Sequence, residues 1–419
     1  MAPARLSLRE SSLAPAMSKT ATDTTAPSPD RPPTAILVNR CAVRLWSLSQ
    51  EARLRRALAG CGIAELRTDE DTLTAAGPAI LLRTDFALED SLIKALVHTP
   101  ECLLAVPTAD GGRVAVAAHA PPGSVEPVIG LLRQPQSAPN DIAAVDLAIM
   151  GPAELGSAYD QALRKRAVPF ALSLVENTPL AVERQMFRAS YKGVTDFVTK
   201  WLWPWPAFWS TRWCAARGIS ANMVTAASLL LVLVAMWLFT RGYFGVGLVV
   251  AWLMTFLDTV DGKLARVTLT SSRFGNVFDH GIDLLHPPFW YVAWYFGVAA
   301  GATQAQALWL AGAVWTAVIG YVVGRLQEGF FLWRFRFEIH AWRPLDAAFR
   351  LFTARRNPNL AILTAAAVAG RPDLGLQAVA AWTLLSLAFH FWRIWQAEHR
   401  RRAGQPVRSW LAEAPAASA

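Results

Sequence analysis

Four aspartates, one arginine, two glycines and one alanine stand in a fixed order over 26 residues, in strongly apolar surroundings. The order is Asp258, Asp261, Gly262, Ala265, Arg266, Gly275, Asp279, Asp283. If both flanking segments are helical, Asp258 and Asp261 lie at i,i+3 on one helix face, and Asp279 and Asp283 lie at i,i+4 on another. Two helix ends can then direct four carboxylates at one point. This spacing predicts a metal site.

Four carboxylates in apolar surroundings need a compensating cation. Each ionisable residue at membrane depth costs about 2.5–3.5 kcal/mol on insertion scales. Oxygen donors favour Mg²⁺, Mn²⁺ or Ca²⁺ over zinc, and several carboxylates allow two ions to share a bridge. Such a site suits phosphoryl chemistry on a diphosphate.

The small residues around the acids have two interpretations. Gly262 and Ala265 leave a helix face nearly bare, so that a nucleotide could approach the backbone closely, and Arg266 offers a forked cation to phosphate. Small residues also serve as packing contacts between membrane helices, and paired acids near helix ends can be solvated caps. The conjunction of all these residues in one order favours the chemical interpretation.

The composition divides the chain into a soluble part and a membrane part. The 419 residues include 53% apolar residues and 18 Trp, but also 40 basic and 31 acidic residues. Long apolar runs begin at Asn222, whereas the preceding sequence has a globular composition. The net charge of +9 is explained by positive loops and anionic lipid headgroups, so no nucleic acid partner is expected. The four cysteines form no Cys-x-x-Cys pair, which indicates free thiols in a reducing compartment.

The sequence predicts five regions. They are a disordered tail (1–33), a soluble α/β domain (34–178), an interfacial juxtamembrane segment (190–218), a membrane domain of six helices (219–402) and a cytoplasmic tail (403–419). The first tail is rich in Ala, Ser, Thr and Pro and lacks the apolar stretch of a signal peptide. The soluble domain is expected to have three layers, because short apolar runs alternate with helical patterns. The runs lie at 35–38, 79–82, 103–106 and 113–118, and the helical patterns at 51–58 and 89–97.

The juxtamembrane segment mixes indole rings with cations, as is typical of the headgroup layer. Its aromatic residues include Trp201, Trp203, Trp205, Trp209 and Trp213. We expect an interfacial helix that prolines break in the middle. An aromatic core segment of a soluble domain is the alternative, but the apolar spans begin directly afterwards.

Six membrane spans are predicted, at 221–240, 244–262, 277–300, 305–326, 358–374 and 375–395. Each is near the ~20 residues that a bilayer requires, except for the fifth. The connection from Arg325 to Arg356 contains seven arginines, whereas the opposite loops contain only Arg241 and Arg371. The positive-inside rule therefore predicts a multi-pass protein of the cytoplasmic (inner) membrane, with both termini and the acid site on the cytoplasmic side.

The order Asp-x2-Asp-Gly-x2-Ala-Arg-x8-Gly-x3-Asp-x3-Asp resembles the signature of the CDP-alcohol phosphotransferase (CDP-alcohol phosphatidyltransferase) family, and every specified position matches. The predicted spans and the segment before them are also similar to that family's fold. The resemblance implies an integral membrane enzyme that transfers a substituted phosphate from a CDP-linked donor to an alcohol and releases CMP. It further implies that one substrate is a lipid, and it suggests a homodimer.

The resemblance also implies roles for the signature residues. Two Mg²⁺ or Mn²⁺ ions would be held by Asp258, Asp261, Asp279 and Asp283. The CDP group would be bound by Asp258, Gly262, Ala265, Arg266 and Gly275. Asp283 would act as general base on the acceptor hydroxyl, because the outermost acid keeps the most proton affinity beside the ions.

Several residues near the signature have weaker claims to a role. Lys192, Lys200 and Arg325 are candidates for contact with the second substrate's phosphate or an anionic lipid, and each could equally be an ordinary interface cation. His280 and His286 flank the last acids. Because the family pattern does not specify them, a supporting or packing role is expected.

The amino-terminal domain weakly resembles nucleotidyltransferases that make CDP-activated donors. The resemblance lies in the segments 35–40, 44–48 and 81–85, which ends in Asp85. The glycine-rich loop that would wrap nucleotide phosphates is replaced by residues 38–44, which contain no glycine. We therefore expect a degenerate, nucleotidyltransferase-like domain without catalytic residues.

The sequence thus predicts a membrane phosphotransferase of phospholipid or polar-lipid synthesis. Two directions stay open: a CDP-linked lipid could donate to a soluble alcohol phosphate, or a CDP-linked headgroup could donate to a lipid alcohol. Alternatives are a bifunctional cytidylyltransferase/phosphotransferase and a non-catalytic membrane scaffold that keeps the fold.

Overall fold

A computed structural model describes residues 33–68, 77–108, 111–134, 138–157 and 159–413. The predicted disordered tail, except for Pro33, and the last six residues of the cytoplasmic tail lie outside this range. The described chain consists of an amino-terminal α/β region, a short connecting segment and a carboxy-terminal helical region. The α/β prediction is confirmed.

The α/β region contains short strands and helices in alternation. The strands are β1 (Thr34–Val38), β2 (Arg44–Leu45), β3 (Leu48–Ser49), β4 (Leu66–Thr68), β5 (Ala79–Arg83), β6 (Phe86–Leu88), β7 (Cys102–Pro107), β8 (Arg113–Ala120), β9 (Ala148–Met150), β10 (Tyr159–Asp160), β11 (Lys165–Arg166) and β12 (Ala171–Ser173). The helices are α1 (Gln50–Ala59), α2 (Asp90–His98), α3 (Val125–Arg133), α4 (Pro139–Ala143), α5 (Pro152–Leu155) and α6 (Pro179–Ala189). Within the described residues, six strands form one sheet in the order β4-β1-β5-β8-β7-β9.

Both faces of this sheet are covered, because its central strands are apolar on both sides. Along β1, Ala35 and Leu37 belong to the core shared with α1 and α2, whereas Ile36 and Val38 belong to the core shared with α3. This alternation follows from the two-residue period of a strand. Strand β8 is antiparallel to both of its neighbours, while β1 pairs in parallel with β4 and β5. A three-layer arrangement results.

The connection presents tryptophans outward. A short π-helix (Val198–Leu202) precedes α7 (Pro204–Ala216), and the break between them falls at Trp203. Proline fits the first turn of a helix, where no amide donor is needed. The Trp201, Trp205 and Trp213 side chains are exposed, while Trp203 packs against Trp252 and Phe256.

The helical region contains seven further α-helices among the described residues. They are α8 (Ala221–Thr240), α9 (Phe244–Val267), α10 (Arg273–Ala299), α11 (Gln304–Phe335), α12 (Pro344–Arg350), α13 (Arg356–Val368) and α14 (Pro372–Arg402). In this part of the chain, four helices, α8, α9, α11 and α14, are long and apolar enough to cross a membrane. The chain is therefore a membrane protein, and the six-span count stays a prediction.

Helices α10 and α13 are not among these four helices, for different reasons. Helix α13 has 13 residues and is only about 20 Å long at 1.5 Å per residue, against an apolar bilayer core of about 30 Å. The predicted fifth span, 358–374, is wrong at its end, because Gly370 adopts a φ of +69° and terminates the helix. Helix α10 is long, but it carries the acids Asp279 and Asp283.

Candidate active site

The four aspartates of the signature lie on two neighbouring helices. Asp258 and Asp261 are in the carboxy-terminal half of α9, and Asp279 and Asp283 are in the amino-terminal half of α10. Asp258, Asp279 and Asp283 each offer a carboxylate oxygen within 4.8 Å of the others. Three of the four acids therefore converge in space, whereas Asp261 does not belong to this group.

Asp261 lies beside this group and is the most enclosed of the four. It is 2% exposed, and its Oδ2 accepts a hydrogen bond of 2.6 Å from Thr225 on α8. Its Oδ1 is buried and has no hydrogen-bond partner among the described residues. A buried carboxylate oxygen without a donor is costly, and a hard cation would satisfy it. The donor set thus fits a divalent ion.

Asp283 is the most open of the three grouped acids. Its side chain is 39% exposed, against 15% for Asp258 and 28% for Asp279. It is the carboxylate that a substrate can reach most easily.

Arg356, which the sequence reasoning missed, bridges two of the acids. This first residue of α13 pairs with Asp258 Oδ2 at 2.5 Å and also with Asp283 Oδ1. A guanidinium fork can hold two carboxylates at once, which places α13 at the site. The arginine-rich connection is the only sequence feature that points to Arg356, and by itself it predicts membrane orientation rather than a contact with the acids.

Two prolines open α10 directly behind its last acid. Pro287 and Pro288 lie inside the helix and lack the amide hydrogens that would bond the carbonyls of Asp283 and Leu284. The Tyr321 hydroxyl on α11 lies 3.1 Å from the Leu284 carbonyl and 3.4 Å from that of Asp283. In an apolar layer such freed carbonyls need a donor, so Tyr321 supports the helix where it carries the site.

The acids line a cavity of about 640 Å³ that is lined by basic residues as well. Among the predicted residues, the cavity is also lined by Gly262, Ala265, Arg266, Gly275, Lys192 and Arg325. The basic wall consists of Arg164, Lys192, Arg325, Arg350 and Arg355. A cavity lined by both acidic and basic side chains can hold a cation and an anion at the same time.

The two glycines of the signature line the cavity and also pack closely against neighbouring side chains. A Cβ at position 262 would lie 3.2 Å from Nη2 of Arg266, so glycine makes room for that guanidinium. A Cβ at position 275 would lie 2.9 Å from Oδ1 of Asn222 and 3.1 Å from Oγ of Ser272. A larger residue at either position would therefore require a neighbouring side chain to move.

Residues 219–397 match the sequence profile of the CDP-alcohol phosphatidyltransferase family. This part of the chain belongs to the family. Solved structures of Mycobacterium tuberculosis phosphatidylinositol phosphate synthase (PgsA1), in apo form and with CDP-DAG bound, are similar at 18% identity and a TM-score of 0.35. The matches cover 44% of this chain and 94% and 91% of the respective PgsA1 chains. The comparison with curated proteins gives no match.

The family assignment makes this chain a CDP-alcohol phosphotransferase. One residue that the sequence predicted for the site lies outside it. Lys200 does not line the cavity: its ammonium lies 5.3 Å from the ring of exposed Trp201. The interface role is the one this position supports.

The two histidines of the phosphotransferase that flank the last acids differ in environment. His280 is exposed, with a ring nitrogen 3.7 Å from Asp279. His286 is buried, and its ring packs edge-on against Trp290 at 4.8 Å. His286 therefore contributes to helix packing behind the acids.

The basic wall of the phosphotransferase contains donors that the protein leaves unused. Arg350 is 7% exposed, and its Nε and Nη1 have no hydrogen-bond partner among the described residues. Burial, together with neighbouring Arg355, lowers the pKa of Arg350 to about 9. Burial also lowers the pKa of Lys192 to about 8, and neighbouring Arg164 adds to this effect. A bound anion would stabilise the charged forms of both side chains and raise both pKa values.

A second group of potential metal ligands is already compensated by protein charges. Glu328, His340 and His390 lie within ligand distance of one another. Glu328, however, pairs with Arg325 at 2.9 Å and also with Arg355. Two guanidinium groups disfavour a metal cation here, so this cluster serves to orient the basic wall.

Proposed function

We propose that the enzyme transfers a substituted phosphate from a CDP-linked donor to the hydroxyl of an acceptor and releases CMP. The observation that carries this proposal is that four aspartates and the residues of the basic wall line one cavity. The acids suit the metal-bound diphosphate, and the basic wall suits a second anion. A scaffold without chemistry would have no need for buried polar atoms in this cavity without partners among the described residues, such as Oδ1 of Asp261 and Nε of Arg350.

The diphosphate would be held by two Mg²⁺ or Mn²⁺ ions on Asp258, Asp261, Asp279 and Asp283. Bound there, the ions would neutralise charge on the leaving CMP. The nucleotide would lie along α9 and the start of α10, against Asp258, Gly262, Ala265, Arg266 and Gly275. Arg266 has a buried Nε without a partner among the described residues, which supports a phosphate contact.

Asp283 would be the general base. The acceptor oxygen forms a bond to the phosphorus that carries the substituent, the bond from that phosphorus to the CMP oxygen breaks, and the hydroxyl proton moves to the Asp283 carboxylate. The exposure of Asp283 supports this role. Arg356, which contacts both Asp258 and Asp283, would position the two carboxylates.

The surroundings of the cavity favour one direction of transfer. The unused donors of Arg350 and the nearby Lys192 and Arg325 suit an acceptor that carries its own phosphate. An apolar groove of about 600 Å³ runs between α8 and α10, the helices that also line the cavity. It is lined by residues such as Leu229, Leu233, Phe278 and Leu285 and suits an acyl chain. We therefore favour a CDP-linked diacyl lipid as donor and a soluble alcohol phosphate as acceptor.

The same reaction gives the expected location. A soluble acceptor and a lipid donor meet at a membrane surface, and the arginine-rich connection that forms the basic wall favours the cytoplasmic face. We propose a multi-pass enzyme of the cytoplasmic membrane, with both termini on that side, that works as a homodimer.

The test is a matrix of donors and acceptors with the purified full-length protein. CDP-diacylglycerol and CDP-linked headgroups are each combined with alcohol phosphates, free alcohols and diacylglycerol, and the lipid products are identified by mass. Product only from CDP-diacylglycerol with an alcohol phosphate supports the favoured direction. Product only from a CDP-linked headgroup with diacylglycerol reverses it.

A further inference from the structure

The amino-terminal domain holds the short connection between the two acid-bearing helices. This α9–α10 connection comprises residues 268–272. Arg53 of α1 donates from Nη1 to the Val267 carbonyl at 2.7 Å, and Arg56 donates from Nη1 to the Thr268 carbonyl at 2.6 Å. The last carbonyls of a helix have no partner within it and carry the negative end of its dipole. Two arginines of the soluble domain therefore cap the helix that carries Asp258 and Asp261.

Leu269 adds an apolar anchor to these caps. Its φ is +56°, a left-handed conformation that a bulky side chain rarely adopts. The side chain packs against the core between the sheet and helices α1 and α2. Burial in the other domain compensates for the unfavourable backbone conformation. Leu269 thus ties the connection to the soluble domain.

The held connection is part of the cavity itself. Thr270, Ser271 and Ser272 line it, directly after the anchored residue. Ser272 also caps α10, accepting a hydrogen bond of 3.0 Å from the Gly275 amide. Any shift of the connection therefore changes the start of α10, which carries Asp279 and Asp283.

We propose that the amino-terminal domain is a positioning module for the metal site, with Arg53, Arg56 and Leu269 as its positioning residues. It fixes the connection so that the carboxylates of α9 and α10 keep the separation at which they share ions. This inference rests on the proposed function only for the identity of the site. Metal geometry is sensitive to displacements of about 0.5 Å, so loosening the connection weakens metal binding before it unfolds the protein.

The experiment measures Mn²⁺ affinity of the full-length protein without substrate, by electron paramagnetic resonance of free Mn²⁺. Variants are Arg56→Ala, the double variant Arg53→Ala/Arg56→Ala, and Leu269→Gly. Arg55→Ala is the matched control, because exposed Arg55 lies on the same helix and pairs with Glu51 of that helix. We expect at least three-fold weaker Mn²⁺ binding for Arg56→Ala and Leu269→Gly, at least ten-fold for the double variant, and no change in the control.

Two further readouts separate positioning from general stability. Leu269→Gly relieves the backbone strain, so its thermal midpoint should stay near wild type while its Mn²⁺ affinity falls. Arg56→Lys should restore part of the affinity, and saturating metal should restore kcat. Arg56 is exposed, so Arg56→Ala folds even if the double variant does not.

Unchanged Mn²⁺ affinity in both Arg56→Ala and Leu269→Gly overturns the proposal. That result is distinguishable from failure of the proposed function. A wild-type protein that binds Mn²⁺ but releases no CMP contradicts the function and leaves the positioning role intact. Normal turnover with unchanged Mn²⁺ affinity in every variant contradicts the positioning role alone.

Discussion

Two features suit Asp283 to the proposed role of general base: it lines the cavity, and its side chain is the most exposed of the three grouped acids. Its replacement by asparagine keeps the shape and an oxygen ligand but removes the proton acceptor. We expect Asp283→Asn to lower kcat by about 10²–10⁴-fold, the usual contribution of general base catalysis, with little change in donor affinity. Steady-state CMP release measures this. Undiminished kcat in the variant would remove Asp283 from the role of base.

The lowered pKa of Lys192 predicts that kcat/KM depends on pH. Burial lowers its pKa to about 8 in the protein without substrate, so the ammonium is charged below that pH and neutral above it. For an anionic acceptor, kcat/KM should therefore fall as the pH rises through about 8, because this ratio reports the free enzyme. The Lys192→Arg variant should lose this step. Lys200→Arg, outside the cavity, is the control, and an identical profile in all three proteins would contradict the assignment.

At the scale of the element, helix α11 tests how closely the membrane helices pack. A Cβ at Gly320 would lie 2.5 Å from the Thr383 methyl carbon on α14, whereas a Cβ at Gly312 meets no described atom within 4 Å. Gly320→Ala should destabilise the protein by about 1–3 kcal/mol through overpacking. Gly312→Ala should be neutral or stabilising by up to about 1 kcal/mol. Thermal midpoints in detergent compare the two, and equal midpoints would contradict the close packing.

The sequence predicted the elements that carry the acids but not everything that acts on them. The acid spacings identified the relevant faces of α9 and α10 because helical geometry is local. Arg356 reaches the acids from a helix 73 positions after Asp283, and no local pattern encodes such a contact. Tyr321 can donate to α10 because the prolines leave two of its carbonyls without a donor. The sequence does not show that α11 lies beside these carbonyls.

At the scale of the whole molecule, the two regions share a core. Trp46, in the turn between β2 and β3, is 1% exposed and belongs to a cluster with residues of α6, α7 and α9. Its amide donates to the buried carboxylate of Glu183 at 2.7 Å. The sequence predicted both regions, but it gave no signal for this joint, because the contacting residues are far apart in the chain.

This joint predicts that the two regions unfold together. Trp46→Ala should destabilise the protein by about 3–5 kcal/mol, as is usual for truncating a buried aromatic residue. The control is Trp213→Ala on α7, where the indole is exposed. Thermal unfolding, followed with separate probes in each region, measures both. Two independent transitions, with only the amino-terminal one lowered by Trp46→Ala, would contradict a common core.

CMP release is the most direct test of CDP-dependent transfer at this site. Purified wild-type protein with CDP-diacylglycerol, a panel of alcohol phosphates and Mn²⁺ or Mg²⁺ should release CMP and form a phosphate-bearing lipid. Chelation of the metal, or Asp258→Asn, should abolish the release. A folded, Mn²⁺-binding protein that releases no CMP from any CDP-linked donor, with any acceptor, would contradict the account.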